Sequence, residues 1–271
     1  MHLLKLGFVV PEVVKKGLTT EEDIEAIKEW RKDKWPQLTE EQIAIFLIAC
    51  NNCQELTKYT IESNIRIKNS GPNLFTDRNF NNENLRKISQ VMTFSVMPDR
   101  YQDTLILVIS MNDFNYKNYC QEAHFKLYFM VIDSIAYDNP PREAIIIVDA
   151  KGVSLMHITT IRMNLLKLHS EYFDRGLPLA CREVHFINCS YALTCCFNVT
   201  KPFIRSDKLQ KIHFHHGTRN DTIPETLSIP KKYLPKEYGG ELKSVRYYHN
   251  RTMDKLVQMQ QYFDLEEQQR S

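Results

Sequence analysis

Glycine is scarce in this 271-residue chain: eight residues, at positions 7, 17, 71, 152, 176, 217, 239 and 240. None of them builds a GxGxxG turn or a P-loop, so nucleotide cradling through those motifs is excluded. A GxSxG elbow is also missing, and with it the usual serine hydrolase on a parallel sheet. Charge of one sign is lacking, since 35 basic residues face 33 acidic ones for a net +2. Nucleic acid finds no overall electrostatic footprint and is not expected as a partner. The seven cysteines (50, 53, 120, 181, 189, 195 and 196) are odd in number and follow no framework spacing. Free thiols in a reducing compartment are the reading. No apolar run reaches membrane-spanning length; that of residues 3–10 is too short, and no small-residue cleavage site follows it. A cytosolic protein is expected.

Large apolar side chains are abundant. With 43% hydrophobic residues, 14 Phe and 13 Tyr, the chain can bury a sizeable core. Its first third reads as helix. Thr20 precedes Glu21, Glu22 and Asp23 as an N-cap with an acidic first turn. Ile24, Ile27 and Trp30 follow as a core face. Thr39 with Gln42 reads as a capping box ahead of Ile43, Phe46, Leu47 and Cys50. A third helix runs from Leu56 to Asn69, and Gly71-Pro72 ends it. Residues 74–89, rich in Asn, read as a linker with one short helix.

After Ser89 the pattern changes. Val91 to Val96 and Leu105 to Ile109 suit paired strands. Phe125, Phe129, Ile132 and Ala136 form one apolar row and Tyr128, Val131 and Ile135 a second, which predicts a helix buried on two sides. Ala144 to Val148 is a continuous apolar run, as in parallel strands covered on both faces. A single helix is predicted from Ile158 to Phe173, then a strand from Val184 to Ile187. Strand and helix in alternation imply right-handed crossovers and a largely parallel sheet. The next stretch carries an apolar helix with Tyr191, Leu193, Phe197 and Val199. Lys201-Pro202 breaks it, because proline lacks an N–H. An amphipathic helix with Phe203, Ile204, Leu209 and Ile212 is expected after the break.

Few residues point to reactive chemistry. Cys50 and Cys53 have CxxC spacing, but no second pair lies at zinc spacing and the motif is placed within a helix; no metal site is expected. His213, His215 and His216 alternate along a final strand, so the third points away from the other two. Asp149 ends a strand, where a catalytic carboxylate can sit on a doubly wound sheet. No nucleophile or base lies nearby in sequence, so a turn-capping role before Gly152 is the reading taken, and no catalytic residue is expected. Periodicity leaves open whether the inward apolar residues fill a core or line a cavity.

Four segments in order carry a resemblance: IIIVDAKGVS (145–154), LPLACREVHFIN (177–188), VTKPFIRSDKLQKIHFHHG (199–217) and LPKEYGG (234–240). From about residue 91 to 240 the chain resembles the CRAL-TRIO lipid-binding domain, in the branch of tocopherol and retinaldehyde carriers. The preceding helices look more loosely like the accompanying N-terminal helical domain. The resemblance implies an α/β fold: a helical domain over 1–88, then a lipid-binding domain over 89–245. In the latter, helices flank a mostly parallel twisted sheet and a helical gate closes it. A C-terminal tail over 246–271, helical, is set apart.

The resemblance further implies a non-enzymatic carrier with no cofactor and one bound lipophilic molecule, tocopherol-, retinoid-, carotenoid- or phospholipid-like. Contact with membranes would be transient and the chain monomeric. Carried over by alignment, Ala144, His169, Tyr172, Phe173, Leu179 and Val184 are expected around the ligand. Strand alternation adds Ile146, Val148 and Phe186; the doubly apolar helix adds Phe125, Tyr128, Phe129 and Ile132. The gate is expected to present Phe197, Val199, Phe203, Ile204, Leu209 and Ile212. The family's basic cleft for phosphoinositides is depleted. Two arginines of a helix motif are missing at Phe46-Leu47-Ile48-Ala49-Cys50, and Ala180 and Asp207 stand at basic positions. Arg182, Arg205, Lys208 and Lys211 remain, which implies weak headgroup recognition. A side-chain-filled pocket serving as a protein-interaction module is the alternative function.

Overall fold

The computed structural model describes residues 4–217 and 219–270. Within these, the side chains of Ala192, Cys196, Val199, Phe203 and Asp221 are not described. The N-terminal part is helical: α1 (Val10–Lys15), α2 (Glu21–Arg31), α3 (Glu40–Ala49), α4 (Gln54–Ser70), α5 (Pro72–Phe75) and α6 (Glu83–Val91). Thr20 caps α2 by accepting from the Asp23 N–H at 3.1 Å. On α3, Thr39 Oγ1 accepts from Gln42 N while Gln42 Oε1 accepts from Thr39 N. These reciprocal bonds satisfy donors that the first helical turn leaves open. The CxxC motif is not within a helix. It forms the turn between α3 and α4, where Asn51 and Asn52 adopt left-handed φ values of 51° and 57°. Asn tolerates that conformation better than most side chains.

Among the described residues, five strands form one sheet in the order β1 (Met92–Val96), β2 (Thr104–Met111), β3 (Glu143–Asp149), β4 (Cys181–Ile187) and β5 (Ile212–Phe214). β1 is antiparallel to β2, and β2 through β5 run parallel. The register aligns Ile109, Val148, Phe186 and Phe214 in one row and Leu107, Ile146, Val184 and Ile212 in another. Side chains alternate across a strand, so both rows lie on one face. Ile106, Val108, Ile145, Ile147 and Ile187 belong to the core on the other face, with Ile223, Leu234, Tyr238 and Tyr248. Between β2 and β3 runs α7 (Gln121–Asp138), with buried residues all around it, as a doubly apolar pattern requires.

Residues 155–176 depart from the single helix expected there. A short α8 (Leu155–Thr159) is followed by α9 (Met163–Glu171) and a wide π turn, Tyr172–Gly176. A local cap pins α8, since Ser154 and His157 bond reciprocally. Asn64 fixes the wide turn by donating to the Tyr172 hydroxyl at 3.1 Å and to the Gly176 carbonyl at 2.7 Å. Beyond β4 comes α10 (Tyr191–Thr200), then one 3-10 turn at Lys201–Phe203 containing Pro202. The amphipathic helix expected next shrinks to α11 (Ser206–Leu209) before β5 begins.

After α12 (Ile223–Leu227), two helices end the described chain: α13 (Val245–Gln258) and α14 (Gln260–Arg270). The segment set apart as a tail is tightly joined to the body. On α13, His249 Nδ1 and Thr252 Oγ1 accept from the outward N–H groups of Phe94 and Val96. A sheet edge is thereby covered rather than left open. On α14, Glu266 is buried and pairs with Lys68, Arg78 and Arg270; Arg78 also holds Asp133 at 2.7 Å. Arg78 is fully buried, and these partners compensate the cost of desolvating it.

Candidate functional site

Between the sheet face of Ile146 and Val148 and helices α7 to α10 lies a cavity of about 300 Å³. The sheet contributes Ile109, Ile146, Val148, Val184, Phe186, Ile212 and Phe214; α7 contributes His124, Phe125 and Tyr128. The wall continues through His157 and Ile158 of α8, Leu166 and His169 of α9, and Phe173. Leu193 and Phe197 of α10, with Ile204 beyond it, close the last side. Aromatic rings interlock at that closure. Phe197 meets Phe214 edge-on at 4.7 Å, and Phe214 stacks on Phe186 at 5.0 Å. Every described side chain of α10 is half-buried or exposed.

The buried histidines and Tyr128 in this wall favour their neutral forms. His169 stacks on Phe125 at 4.3 Å, and burial pushes its pKa down to about 4. His124 lies 2.9 Å from the Tyr119 hydroxyl and is pushed down to about 3, again by burial first. Burial raises the Tyr128 hydroxyl, keeping it protonated. Cys181, beside the cavity floor, is held up to about 12, far from a thiolate nucleophile at neutral pH. Asp149, at the rim, is a structural acceptor: Lys151 N, Asn188 Nδ2 and the Tyr238 hydroxyl all donate to it. Apolar walls with a few polar groups suit reversible binding of a lipophilic molecule.

The family follows from comparison of the whole domain. A family model described as "CRAL/TRIO domain" matches residues 84–240, more than half of the chain. This chain belongs to the CRAL/TRIO domain family. Two alpha-tocopherol transfer protein-like sequences, from Mus musculus and Homo sapiens, are each 31% identical over 96 residues. Those residues are 35% of this chain and 27% of each relative. Clavesin-2 of Mus musculus is 26% identical over 98 residues, 36% of this chain and 29% of that protein. The chain thus matches under a third of the length of these curated relatives. The crystal structure of Sfh5 shares the fold, with a TM-score of 0.53 and 12% identity, over 89% of this chain and 92% of that one.

Within this CRAL/TRIO domain the expected pocket residues separate into two sets. Phe125, Tyr128, Ile146, Val148, His169, Phe173, Val184 and Phe186 meet around the cavity, with Phe197, Ile204 and Ile212 of the expected gate. Phe129, Ile132, Ala144, Tyr172 and Leu179 do not line it; all five are buried in the solid core. Phe129 stacks on Phe75 at 4.9 Å and meets Tyr172 edge-on at 4.7 Å, so both rings face the N-terminal helices. Ala144 sits at the start of β3, where its N–H donates to the Ala180 carbonyl. Leu209, on the shortened α11, is half-buried and also outside the wall. The side chains of Val199 and Phe203 lie outside the described residues.

The four basic residues expected at a phosphoinositide cleft are engaged internally, in two groups. Arg205 pairs with Asp174 at 3.3 Å, and Lys208 donates to the carbonyls of Phe173 and Asp174. Arg182 lies 3.7 Å from Glu143, and Lys211 donates to the Cys181 carbonyl. Residues that sequence reasoning missed include Ile109, His124, His157, Leu193 and Phe214. The alternation that selected Ile146 and Val184 reaches Ile109 and Phe214 through the sheet register. No local pattern marks His157.

Proposed function

We propose that this CRAL/TRIO chain binds one lipophilic molecule in its cavity and exchanges it at a membrane by displacement of α10. The cavity itself carries this reading: about 300 Å³, apolar-walled, and closed on one side by a helix with no described fully buried side chain. That volume is at the lower end of the range for small-molecule sites, roughly 300–1,000 Å³. Burial of a hydrocarbon ligand contributes about 0.8 kcal/mol per CH₂, enough to hold it against water. Displacing α10 exposes the half-buried Phe197, which costs less than the roughly 1.5–3 kcal/mol of a fully buried Phe, and contact with lipid removes that cost. Opening is therefore favoured at a bilayer. The engaged state of Arg205 and Lys208 supports weak dependence on phosphoinositide headgroups.

Two measurements test this. Mass spectrometry of an organic extract of the purified chain is expected to show a stoichiometric lipophile; its repeated absence supports the protein-interaction module instead. Phe197→Asp is expected to slow vesicle-to-vesicle transfer of a lipophilic probe while the circular dichroism spectrum stays unchanged. Transfer at the original rate would sink the role of α10.

A further inference from the structure

Among the described residues, six buried side-chain atoms have no hydrogen-bond partner: Thr19 Oγ1, Arg31 Nε, Asn52 Oδ1, Arg78 Nε, His157 Nε2 and Asp174 Oδ2. Of these residues, His157 is the one in the cavity wall. Buried polar groups are paired in the large majority of cases, and each exception calls for a reason.

The state of this ring is set by α8. The Ser154 N–H donates to His157 Nδ1 at 3.2 Å, and Ser154 Oγ lies 2.9 Å from the same nitrogen. A ring nitrogen that accepts from a backbone N–H carries no hydrogen of its own, so in the neutral ring the hydrogen is on Nε2. Burial lowers the pKa of His157, which favours that neutral ring. The outcome is an N–H donor fixed in tautomer by a helix cap and edge-on to Tyr119 at 6.0 Å. His249 shows what such a ring does when fully used: its Nδ1 accepts from Phe94 N, and its Nε2 bonds the Ser89 carbonyl at 2.8 Å. At His157 the first of these bonds is present and the second has no protein partner.

We infer that His157 Nε2–H anchors an oxygen acceptor of the bound lipophile, so that the cavity selects an apolar body bearing a carbonyl, ester, ether or hydroxyl oxygen over a pure hydrocarbon. This rests on the carrier reading above. Its physical basis is asymmetric: a matching acceptor satisfies the donor, whereas a hydrocarbon leaves it buried and unmade.

Fluorescence of diphenylhexatriene in the full chain first reports occupancy of the cavity. A long-chain methyl ketone and the alkane of the same length then compete for it. The ketone is expected to displace the probe at about tenfold lower concentration. His157→Phe should abolish that ratio. His157→Gln, which keeps a donor and is a usual capping-box residue, should preserve it, as should Ser154→Ala, which weakens the cap and leaves Nε2 in place. Should the Phe variant fail to fold, nuclear magnetic resonance of nitrogen-labelled histidine decides. The His157 Nε2–H proton should move downfield with the ketone and not with the alkane. Equal displacement by ketone and alkane, or a ratio that survives His157→Phe, overturns the inference and leaves the carrier reading standing. Failure of diphenylhexatriene and both competitors to bind overturns both.

Discussion

The first half of α7 presents His124, Phe125 and Tyr128 to the cavity, whereas its second half sinks Phe129 and Ile132 into packed core. Both halves carry the same doubly apolar pattern. The difference lies in what comes against them. The second half meets α5 through Phe75, and Asp133 meets Arg78, which also binds Glu266 of α14. Segments far apart in sequence converge there and leave a smaller space, about 140 Å³ beside Asp133 and Glu266, than the cavity of about 300 Å³ at the other end. Against the first half, α10 closes with Leu193 and Phe197, both half-buried. A helix can thus belong to a stable core at one end and to a ligand site at the other.

The largest break in this comparison is expected from Arg78→Met. It leaves Asp133 and Glu266 buried without their shared cation, and such losses cost about 3–5 kcal/mol. Urea unfolding should show it, while ligand affinity of the folded fraction stays unchanged. Next, Phe129→Ala and Phe125→Ala set the two halves directly against each other. Truncating the packed Phe129 should cost about 3–5 kcal/mol, and truncating Phe125, already beside empty space, less than half of that. Equal costs would mean that the cavity half is as tightly filled as the other.

The smallest effect is in pH dependence. Burial holds His124 at about 3, and His169 and His249 at about 4, below the ordinary 6.5. Their contribution is complete above 6.5. It declines as pH falls through the window down to about 4 to 3, because the unfolded chain takes up the protons first. Glu266 lies on the other side of the comparison. Its cationic partners outweigh desolvation and hold its pKa at about 2, below the ordinary 4.5. Stability from that carboxylate is present above 4.5 and lost as pH falls toward 2. Between about pH 6.5 and 4.5, acid should therefore weaken the fold through the histidines while the buried ion cluster stays intact. His169→Phe should reduce the slope there by about 1.4 kcal/mol per pH unit, as measured by urea unfolding across that window.

Local patterns carried much of this architecture. The apolar run Ala144–Val148 appears as the middle of β3, the box of Thr39 and Gln42 starts α3, and the two apolar rows of α7 are buried as expected. Each of those features needs only a few neighbouring residues to declare itself. The interruption at Thr160–Arg162 was less legible, because the row from Ile158 to Phe173 keeps its helical spacing across a real break. Tyr172 shows the same limit at the site: it was expected against ligand, and Asn64, more than a hundred residues earlier, draws its hydroxyl into the helical core.

The sequence alone determined which side chains leave water, which strands are covered on both faces, and that no nucleotide motif is present, since composition and period are properties of the chain itself. Its four motifs also pointed to the CRAL/TRIO family. The tertiary structure alone decided which of the buried residues border a space. A cavity is the separation left between elements, and that separation depends on distant contacts such as Arg78 to Glu266 rather than on spacing along any one helix.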